Sequence, residues 1–512
     1  MWFKKKMQSL YDRLEAPLFT WPGKKEIFKL SHALAGILIT GASRSGKTSA
    51  VLKFIIRAWF RAGFGGLLAV TRVNDTDMYL DIADQCGRKN DIIYFHEGSN
   101  LQLNILEFEL SRYKDGEMDL EHVIDNLLMI HEMISNYESG GGGRNDEDKF
   151  WKNSAKNLLT YSLSLLILSK GKVTWRHLRK VAQDALNEEE LSRYFELWAI
   201  MQSHVQDSED WQNSWAEYSE WRAHNVFIDV FDTANAREDL SGDEQEMMRD
   251  VGDYFLRQFS KLAPKTKSIV LEIISSICRP FETSKILKKH FASGFSSELH
   301  PRRTYQENKI VICGFGVKEH GLSGLIATGI MKLIYTQEWE RRDLEKEGIK
   351  ASPIALVLDE FQFYLNAASK DSLYVSTAGG SLIANIFVTQ NIDNIIMSMG
   401  GQNAEAKARS LCGNLSTKIF CANGNFTTNK WASDMIGSHF IDTKSTSINF
   451  ETGSKQSFNQ HYHPKVPIDH FTMLKTGRKE NKFCVEAVVF QTGKTWLMGQ
   501  NFEQISFMQD HK

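Results

Sequence analysis

Short apolar runs alternate with stretches of helical spacing in the first hundred residues and again after residue 300. Runs of this length are typical of strands buried on both faces, and the spacing between them predicts helices at 49–62, 76–86 and 323–342. Strands that alternate with helices predict an α/β fold with a mostly parallel sheet. The apolar runs lie at 36–40, 67–71, 92–95, 309–313, 354–358, 385–390 and 417–421.

The stretch 108–300 differs, because it carries almost no strand signal. Periodic apolar positions predict helices at 119–134 and 150–167, with a flexible glycine-rich loop at 139–143 between them. We therefore expect an all-helical domain of residues 108–300 inserted into an α/β domain. That domain comprises residues 36–107 and 301–512, preceded by an N-terminal lead-in of residues 1–35 with a helix-like piece at 6–15, and the tail 483–498 alternates as a strand does.

The first predicted strand and the helix after it flank the pattern G-x-x-x-x-G-K-T at residues 41–48. This is the Walker A motif in the strand–loop–helix context that it requires, which argues against a chance match. The predicted ATP-binding residues are Gly41, Ala42, Ser43, Arg44, Ser45, Gly46, Lys47, Thr48 and Ser49.

The residue types of this motif suit a phosphate chain. Gly41 and Gly46 let the backbone curl so that its N–H groups face phosphate oxygens. The N-terminus of the following helix adds partial positive charge at the same place. Lys47 can reach the β- and γ-phosphates, and the Thr48 hydroxyl can bind Mg²⁺. The sequence therefore predicts a nucleotide-binding site.

A second motif follows the apolar run 354–358, where Asp359 and Glu360 end a buried strand. In this Walker B pattern, Asp359 can bind Mg²⁺ and Glu360 can polarise the attacking water. The alternative is a strand that ends in ordinary polar residues.

Gln390 ends the next apolar strand, at the edge of the sheet where ligands bind, so it can sense the γ-phosphate or hold the water. The alternative for Gln390 is a helix cap.

Composition limits the possible classes of protein. A chain of 512 residues with 42% hydrophobic and 24% charged residues is globular rather than disordered. The net charge of −2 excludes a global basic excess, so a nucleic-acid surface must be local or built by oligomerisation. Six cysteines without C-x-x-C spacing indicate reduced thiols in a cytosolic chain. The sequence shows no apolar stretch long enough for a transmembrane helix and no signal-peptide pattern.

Two smaller patterns each allow an ordinary explanation. Trp211 and Trp215 lie one helical turn apart, which fits a helix core better than a stacking surface for nucleic acid. His461 and His463 form half of a possible metal site, but no cysteine lies near them in the sequence.

Walker A, an Asp-Glu Walker B and a strand-end glutamine, in this order around an inserted helical domain, form a specific set. With F-W-K-N-S-A-K-N-L-L at 150–159, L-C-G-N-L-S-T-K-I-F at 411–420 and A-S-D-M-I-G at 432–437, the chain resembles the type IV coupling proteins of the TraG/TraD type. These proteins serve conjugation and type IV secretion, and they belong to the HerA–FtsK branch of RecA-like motor ATPases. The resemblance covers residues 30–500.

The resemblance implies a RecA-like P-loop ATPase that forms a homo-hexamer and moves DNA, or a protein–DNA substrate, through a central pore. It implies ATP and Mg²⁺ as cofactors, with Lys47 on phosphate, Thr48 and Asp359 on Mg²⁺, Glu360 on the water and Gln390 as sensor. The implied partners are DNA, bound without sequence preference, a relaxase and secretion-system proteins. The implied location is cytoplasmic or peripheral at the inner face of the cell membrane, with membrane contact only through partners.

Three features depart from the family pattern. Members usually begin with transmembrane helices, which this sequence lacks. The Asp-Pro-Lys-Gly that often follows the second strand is replaced by T-R-V-N-D at 71–75. The family's trans-acting arginine precedes the sensor strand, yet no arginine occurs between Arg342 and Arg409. Arg409 is a candidate substitute, and Lys370 and Lys407 are lesser ones. The alternatives are that Arg409 is a solvated helix residue, that hydrolysis is slow, or that a partner supplies the charge.

Three functions are compatible with these patterns. The first is a ring-forming motor that moves DNA, and the second is an ATP-dependent recruiter that delivers a protein substrate without translocating DNA. The third is a small-molecule P-loop kinase, a class that usually lacks both the Asp-Glu strand and the late glutamine. ATP hydrolysis stimulated by DNA, hydrolysis stimulated by protein, or phosphorylation of a metabolite would distinguish them.

Overall fold

The chain divides into two compact units. One holds residues up to His96 and from His300 onward, and the other lies between Glu97 and Leu299. The glycine run 140–143, residues 1–9 of the predicted lead-in and Lys370 lie outside the described residues. The structure is a computed structural model that describes residues 10–139, 146–203, 208–365, 371–401, 403–449, 453–497 and 499–509.

In the described part of the first unit, thirteen strands form three sheets. The large sheet has nine strands in the order β13-β12-β9-β3-β8-β7-β4-β6-β5, and β1 with β2 and β10 with β11 form separate antiparallel ribbons. The strands are β1 (Pro17–Thr20), β2 (Ile27–Lys29), β3 (Ile37–Thr40), β4 (Gly65–Ala69), β5 (Ile92–Phe95), β6 (Ile310–Cys313), β7 (Ile354–Leu358), β8 (Ile383–Thr389), β9 (Thr417–Cys421), β10 (Ser438–Asn449), β11 (Gly453–Pro464), β12 (Cys484–Gln491) and β13 (Phe502–Met508).

The seven strands from β9 to β5 run parallel to one another, and β12 and β13 add an antiparallel edge. Strands β3, β4, β6, β7, β8 and β9 are buried along their whole length. Parallel strands that are covered on both faces have continuous apolar sequences. For this reason the apolar runs of the sequence predicted their positions. The predicted α/β fold with a mostly parallel sheet is confirmed.

Helices connect these strands. Lys53–Arg61 shows why they dock on the sheet, since its Ile55, Ile56 and Trp59 repeat at helical spacing and are fully buried. The helix Val317–Glu340 is interrupted at Gly321, whose backbone is not helical. The helices of this unit are Leu10–Leu14, Leu30–Leu34, Lys53–Arg61, Thr76–Gln85, Arg303–Gln306, Val317–Glu340, Leu344–Glu347, Asp371–Ala378, Ile392–Met399, Ala404–Asn414, Phe426–Ile436 and His470–Met473.

The second unit is helical. Across its described residues the only strand pairing is an isolated bridge between Leu103 and Phe295. The predicted all-helical insertion is therefore confirmed. Its helices are Ile105–Lys114, Leu120–Ser139, Asp146–Leu168, Trp175–Gln183, Glu188–Ser203, Glu209–His224, Val226–Asn235, Gly242–Asp253, Pro264–Thr283 and Lys285–His290.

The tryptophan pair of this unit lies nearer the surface than a helix core. The rings of Trp211 and Trp215 stack with centroids 5.6 Å apart, and Trp215 is 48% exposed. Their helix turns Ser214 and Tyr218 inward instead. Among all described residues, no helix combines the length and the apolarity needed to cross a lipid bilayer.

Candidate functional site

The loop after β3 is shaped by its two glycines. A Cβ on Gly41 would lie 2.7 Å from Cβ of Cys421 in β9, so a larger residue does not fit there. Gly46 has φ +85°, and a Cβ on it would lie 2.4 Å from a methyl group of Val485 in β12. The backbone N–H of Ala42 donates to the carbonyl of the residue after β9, at 2.9 Å. Neighbouring strands therefore fix the path of the loop.

The loop leads directly into a helix. Residues Lys47–Leu52 form a wide helical turn, in which the N–H groups of Ala50 and Val51 both donate to the Gly46 carbonyl, at 3.0 and 3.4 Å. This turn continues as Lys53–Arg61. The predicted helix thus starts two residues earlier than expected, at the lysine of the motif, and Lys47 is turned inward with 6% exposure.

The Walker A and Walker B motifs meet at the carboxyl-end edge of the sheet. Nζ of Lys47 lies 3.6 Å from Oε1 of Glu360, and the Thr48 hydroxyl donates to Oδ2 of Asp359 at 3.3 Å. Strand β8 lies between β3 and β7 in the sheet, and the residue directly after it is Gln390. Its Nε2 donates to Oε1 of Glu360 at 3.1 Å. The structure thus brings together these five residues, which the sequence singled out.

Gln390 does not cap the helix that follows it. That role belongs to Asn391, whose side chain accepts from the N–H of Asn394 at 2.8 Å. The carbonyl of Gln390 is held by Nδ2 of Asn423 at 2.9 Å. Because its backbone is fixed and a neighbour does the capping, the Gln390 side chain faces the carboxylate cluster.

Asp359 is 5% exposed, and its surroundings shift its pKa. Burial, and next the charge of Glu360, raise its pKa to about 6, although Lys47 acts in the opposite direction. Its carbonyl accepts from the Thr71 hydroxyl at 2.8 Å, and its Oδ1 accepts from the N–H of Glu360 at 3.0 Å. A bound cation would stabilise the ionised form of this carboxyl.

Sequence reasoning missed three residues around this cluster. Gln362 donates from Nε2 to Oε2 of Glu360 at 2.8 Å. Thr71 holds the Asp359 backbone, and Asp75 contributes to raising the Asp359 pKa. Burial raises the pKa of Asp75 itself. Thr71 and Asp75 lie in the 71–75 stretch that departs from the family pattern. Their position just after strand β4 could have predicted that they lie near the site.

The oxygen donors suit Mg²⁺, which takes one or two carboxylates together with phosphate oxygens and water. A hydroxyl and a carboxylate already lie side by side here, at Thr48 and Asp359. Within the described part of the chain, no group of three or more His, Cys, Asp or Glu side chains could hold a metal ion on its own. The rings of His461 and His463 are 6.3 Å apart and exposed, so this half-site is not completed there.

The other predicted site residues lie at the rim or apart from the cluster. Ser43 and Arg44 are exposed on the loop, and Arg44 has φ +65°. Ser45 is buried, whereas Ser49 is exposed and accepts a hydrogen bond from Gln509 at 2.7 Å. Arg409 lies on the helix Ala404–Asn414, where it is paired at 2.5 Å with a glutamate one turn earlier. The single chain does not bring Arg409 to the cluster.

Comparisons with known proteins find a matching family model and similar folds. Residues 353–474 match the family model described as the TraM recognition site of TraD and TraG. The bacterial conjugative coupling protein TrwBΔN70, in its unbound monoclinic form, has a TM-score of 0.54 at 10% identity over 98% of this chain and 92% of that chain. No curated protein matches the chain.

Two further structures of TrwB resemble the chain in the same way. The plasmid coupling protein in complex with ADP and Mg²⁺ has a TM-score of 0.52 at 10% identity over 95% of this chain and 87% of that chain. Its complex with the GTP analogue GDPNP has a TM-score of 0.51 at 11% identity, with coverage of 95% and 89%. The fold is that of TrwB, and with the family model it confirms the predicted resemblance to coupling proteins of the TraG/TraD type.

Proposed function

We propose that this chain is an ATP-driven motor of the coupling-protein type, which binds and moves DNA or a protein–DNA substrate in conjugation or type IV secretion. The observation that carries the proposal is the cluster of Lys47, Thr48, Asp359, Glu360 and Gln390 at one edge of the sheet. The coupling-protein fold around that cluster supports the same reading.

Each residue of the cluster has a proposed role in ATP hydrolysis. Lys47 and the backbone of the loop 41–49 hold the phosphates, because a positive charge and N–H groups converge there. Thr48 and Asp359 hold Mg²⁺, which neutralises phosphate charge when bound. Glu360 orients the attacking water and accepts its proton, and Gln390 contacts the γ-phosphate.

We further propose that the two compact units correspond to the predicted domains, 36–107 with 301–512 and 108–300, although residues 97–107 fall in the helical unit, and that the sheet unit assembles into a homo-hexameric ring. Mass photometry of the full chain with ATP, with and without DNA, tests the ring. A species of six 58.5 kDa chains is expected. The same sample should hydrolyse ATP faster when DNA is present. A monomer whose rate of hydrolysis does not change with DNA would contradict the proposed motor function.

Arg409 is proposed as the positive charge that one subunit offers to its neighbour's ATP, an effect worth about 10³–10⁵ in rate in related phosphate chemistry. Its exposed position, 66% for the side chain, makes it available to another subunit. The test mixes Arg409→Ala with Lys47→Ala subunits. Each variant alone should be inactive, and mixed rings should regain activity. Full activity of Arg409→Ala alone would leave the charge to another residue or to a partner.

A second candidate function is favoured by the family model itself, which describes a recognition site for a protein, TraM. In this version the chain is an ATP-dependent recruiter that delivers a protein substrate, and a relaxase or secretion-system proteins are its partners. Membrane contact then comes through those partners. Hydrolysis stimulated by a protein partner and not by DNA would favour this function over the motor.

A further inference from the structure

The carboxylate of Glu360 is held at both oxygens by side-chain amides, and the second amide belongs to Gln362. Gln362 lies two residues after Glu360, is 7% exposed, and donates from Nε2 to Oε2 at 2.8 Å. Its own Oε1 accepts from the hydroxyl of Thr389, at the end of β8, at 2.9 Å. An ionised carboxylate only accepts hydrogen bonds, so the NH₂ end of this amide must face Glu360.

The two oxygens of Glu360 have different partners. Oε1 lies 3.6 Å from Nζ of Lys47 and accepts from Gln390 at 3.1 Å. Under the proposed function, Lys47 and Gln390 both turn to nucleotide phosphates, which frees Oε1. Oε2 is held by Gln362, which is anchored to β8 by Thr389 and has no assigned contact with the nucleotide. The hydrogen bond to Oε2 is therefore the one that can persist through turnover.

We propose that Gln362 is a positioning residue that fixes Oε2 of Glu360, so that Oε1 is the oxygen presented to the attacking water. This inference rests on the proposed function, and it assigns a separate role to each oxygen of Glu360 within the same site. The backbone of Glu360 is in the left-handed region, at φ +48°, and its Oε1 already lies 3.6 Å from Nζ of Lys47. The hydrogen bond from Gln362 to Oε2 limits any closer approach, which would hold Lys47 away from phosphate.

The test compares Gln362→Met with Gln362→Glu in the full chain, with ATP hydrolysis measured in the presence of DNA. Methionine keeps the length and the packing but removes the donor, so kcat should fall by about ten- to a hundred-fold, as for other residues that orient a functional side chain. KM and ATP binding should stay within about two-fold, since Gln362 holds the base and not the nucleotide. Glutamate keeps the acceptor for Thr389 but opposes Glu360, so its kcat should fall at least as far.

Three controls separate positioning from packing. Gln85→Met removes a glutamine that accepts from Arg57 on another part of the unit, and it should leave kcat unchanged. Thermal unfolding of Gln362→Met should show a folded chain with only a small decrease in unfolding temperature, because packing is kept and the Thr389 hydroxyl retains the Asn391 carbonyl as an acceptor at 3.3 Å. In a Glu360→Gln background, Gln362→Met should add less than about two-fold, since the carboxylate it positions is already absent.

The outcomes distinguish this inference from the proposed function. A wild-type chain that hydrolyses no ATP overturns the proposed function itself. A wild type that hydrolyses ATP, beside a Gln362→Met variant with wild-type kcat, overturns only the role of Gln362. Equal, additive losses from Gln362→Met in both backgrounds would also overturn it, because a residue that acts through Glu360 cannot act without it.

Discussion

Each unit buries several carboxylates, and two of them, Asp232 and Asp359, have clearly different surroundings. In the helical unit, Asp232 accepts hydrogen bonds from the hydroxyls of Tyr194 and Tyr218. Burial, and next the contact with Asp232, raise the pKa of both tyrosines. In the sheet unit, Asp359 has a hydroxyl of Thr48 at 3.3 Å and one backbone N–H, and its own pKa is raised to about 6.

The difference separates an acid with a structural role, Asp232, from one that suits the proposed Mg²⁺ site, Asp359. Two phenol donors satisfy Asp232 within its own unit, so that carboxylate holds helices together. Asp359 lies against a second acid and has room in its hydrogen bonding for a cation. Perturbed carboxyls beside a specific charge partner cluster at functional sites. The comparison therefore supports the proposed location of ATP hydrolysis in the sheet unit.

The net charges of the two units also differ, and they have opposite signs. Residues 97–299 contain 23 Lys and Arg against 35 Asp and Glu, a net charge of −12, and the rest of the chain carries +10. The overall value of −2 conceals this separation. Phosphate backbones repel an acidic surface, so under the proposed motor function we expect the DNA-binding face in the sheet unit.

The largest effect is expected from Lys47→Ala. This change removes the positive charge held at 3.6 Å from Glu360, so hydrolysis should fall about 10³-fold or more and nucleotide binding should weaken strongly. Phosphate release and fluorescent-nucleotide titration measure the two losses. The matched control in the helical unit is Lys180→Ala, which breaks a surface pair with Asp184 and should leave both unchanged. Undiminished hydrolysis by Lys47→Ala would remove the loop from the mechanism.

The next largest effect is expected from Glu360→Gln, compared with Glu282→Gln in the helical unit. The first keeps the shape but loses the base, so turnover should fall about 10²–10⁴-fold while ATP remains bound. Glu282 accepts both hydrogen bonds of the Arg179 fork, at 2.7 and 2.6 Å, so its change should lower the unfolding temperature and not turnover. If the two variants exchanged these effects, the contrast between the units would fail.

The charge separation predicts how DNA binding responds to salt. DNA affinity of the assembled chain should fall by about 10³-fold between about 50 and 200 mM salt, as for proteins with about six phosphate contacts. The monomer should bind weakly, because its net charge of −2 gives no overall attraction. Fluorescence anisotropy over a salt series with mixed-sequence DNA measures this, and tight, salt-insensitive binding by the monomer would contradict it.

The sheet and the Walker residues could be predicted because buried parallel strands are continuous apolar runs that end at the ligand edge. The ribbon of β10 and β11 could not, since the letters S-H-F-I-D-T-K-S-T-S-I-N give no sustained alternation. Gln362 was missed for another reason. Its contact depends on the left-handed backbone of Glu360 and on β7 lying beside β8, and neither is a property of local sequence. Arg409 stays a prediction, because a trans-acting residue needs a second subunit.

The smallest effect is one of stability, and it sharpens the first comparison. The pKa of Asp359 is raised from 3.8 to about 6, so the folded chain binds this proton more tightly than the unfolded chain. The stability that protonation gives is therefore complete below about pH 4 and is lost as pH rises through about 6. Ionised Asp359 should then cost about 3 kcal/mol at pH 8. Asp359→Asn should raise the free energy of unfolding by up to that amount at pH 8, with little change near pH 4, while it abolishes Mg²⁺-dependent ATP binding.

The comparison variant is Asp232→Asn, which leaves one tyrosine hydroxyl without its acceptor. It should instead lower the free energy of unfolding by about 1–3 kcal/mol. Urea unfolding at both pH values, without nucleotide or metal, measures both. If Asp359→Asn destabilised the chain at pH 8 as Asp232→Asn does, Asp359 would be a structural acid like Asp232, and the comparison between the two units would no longer locate the site.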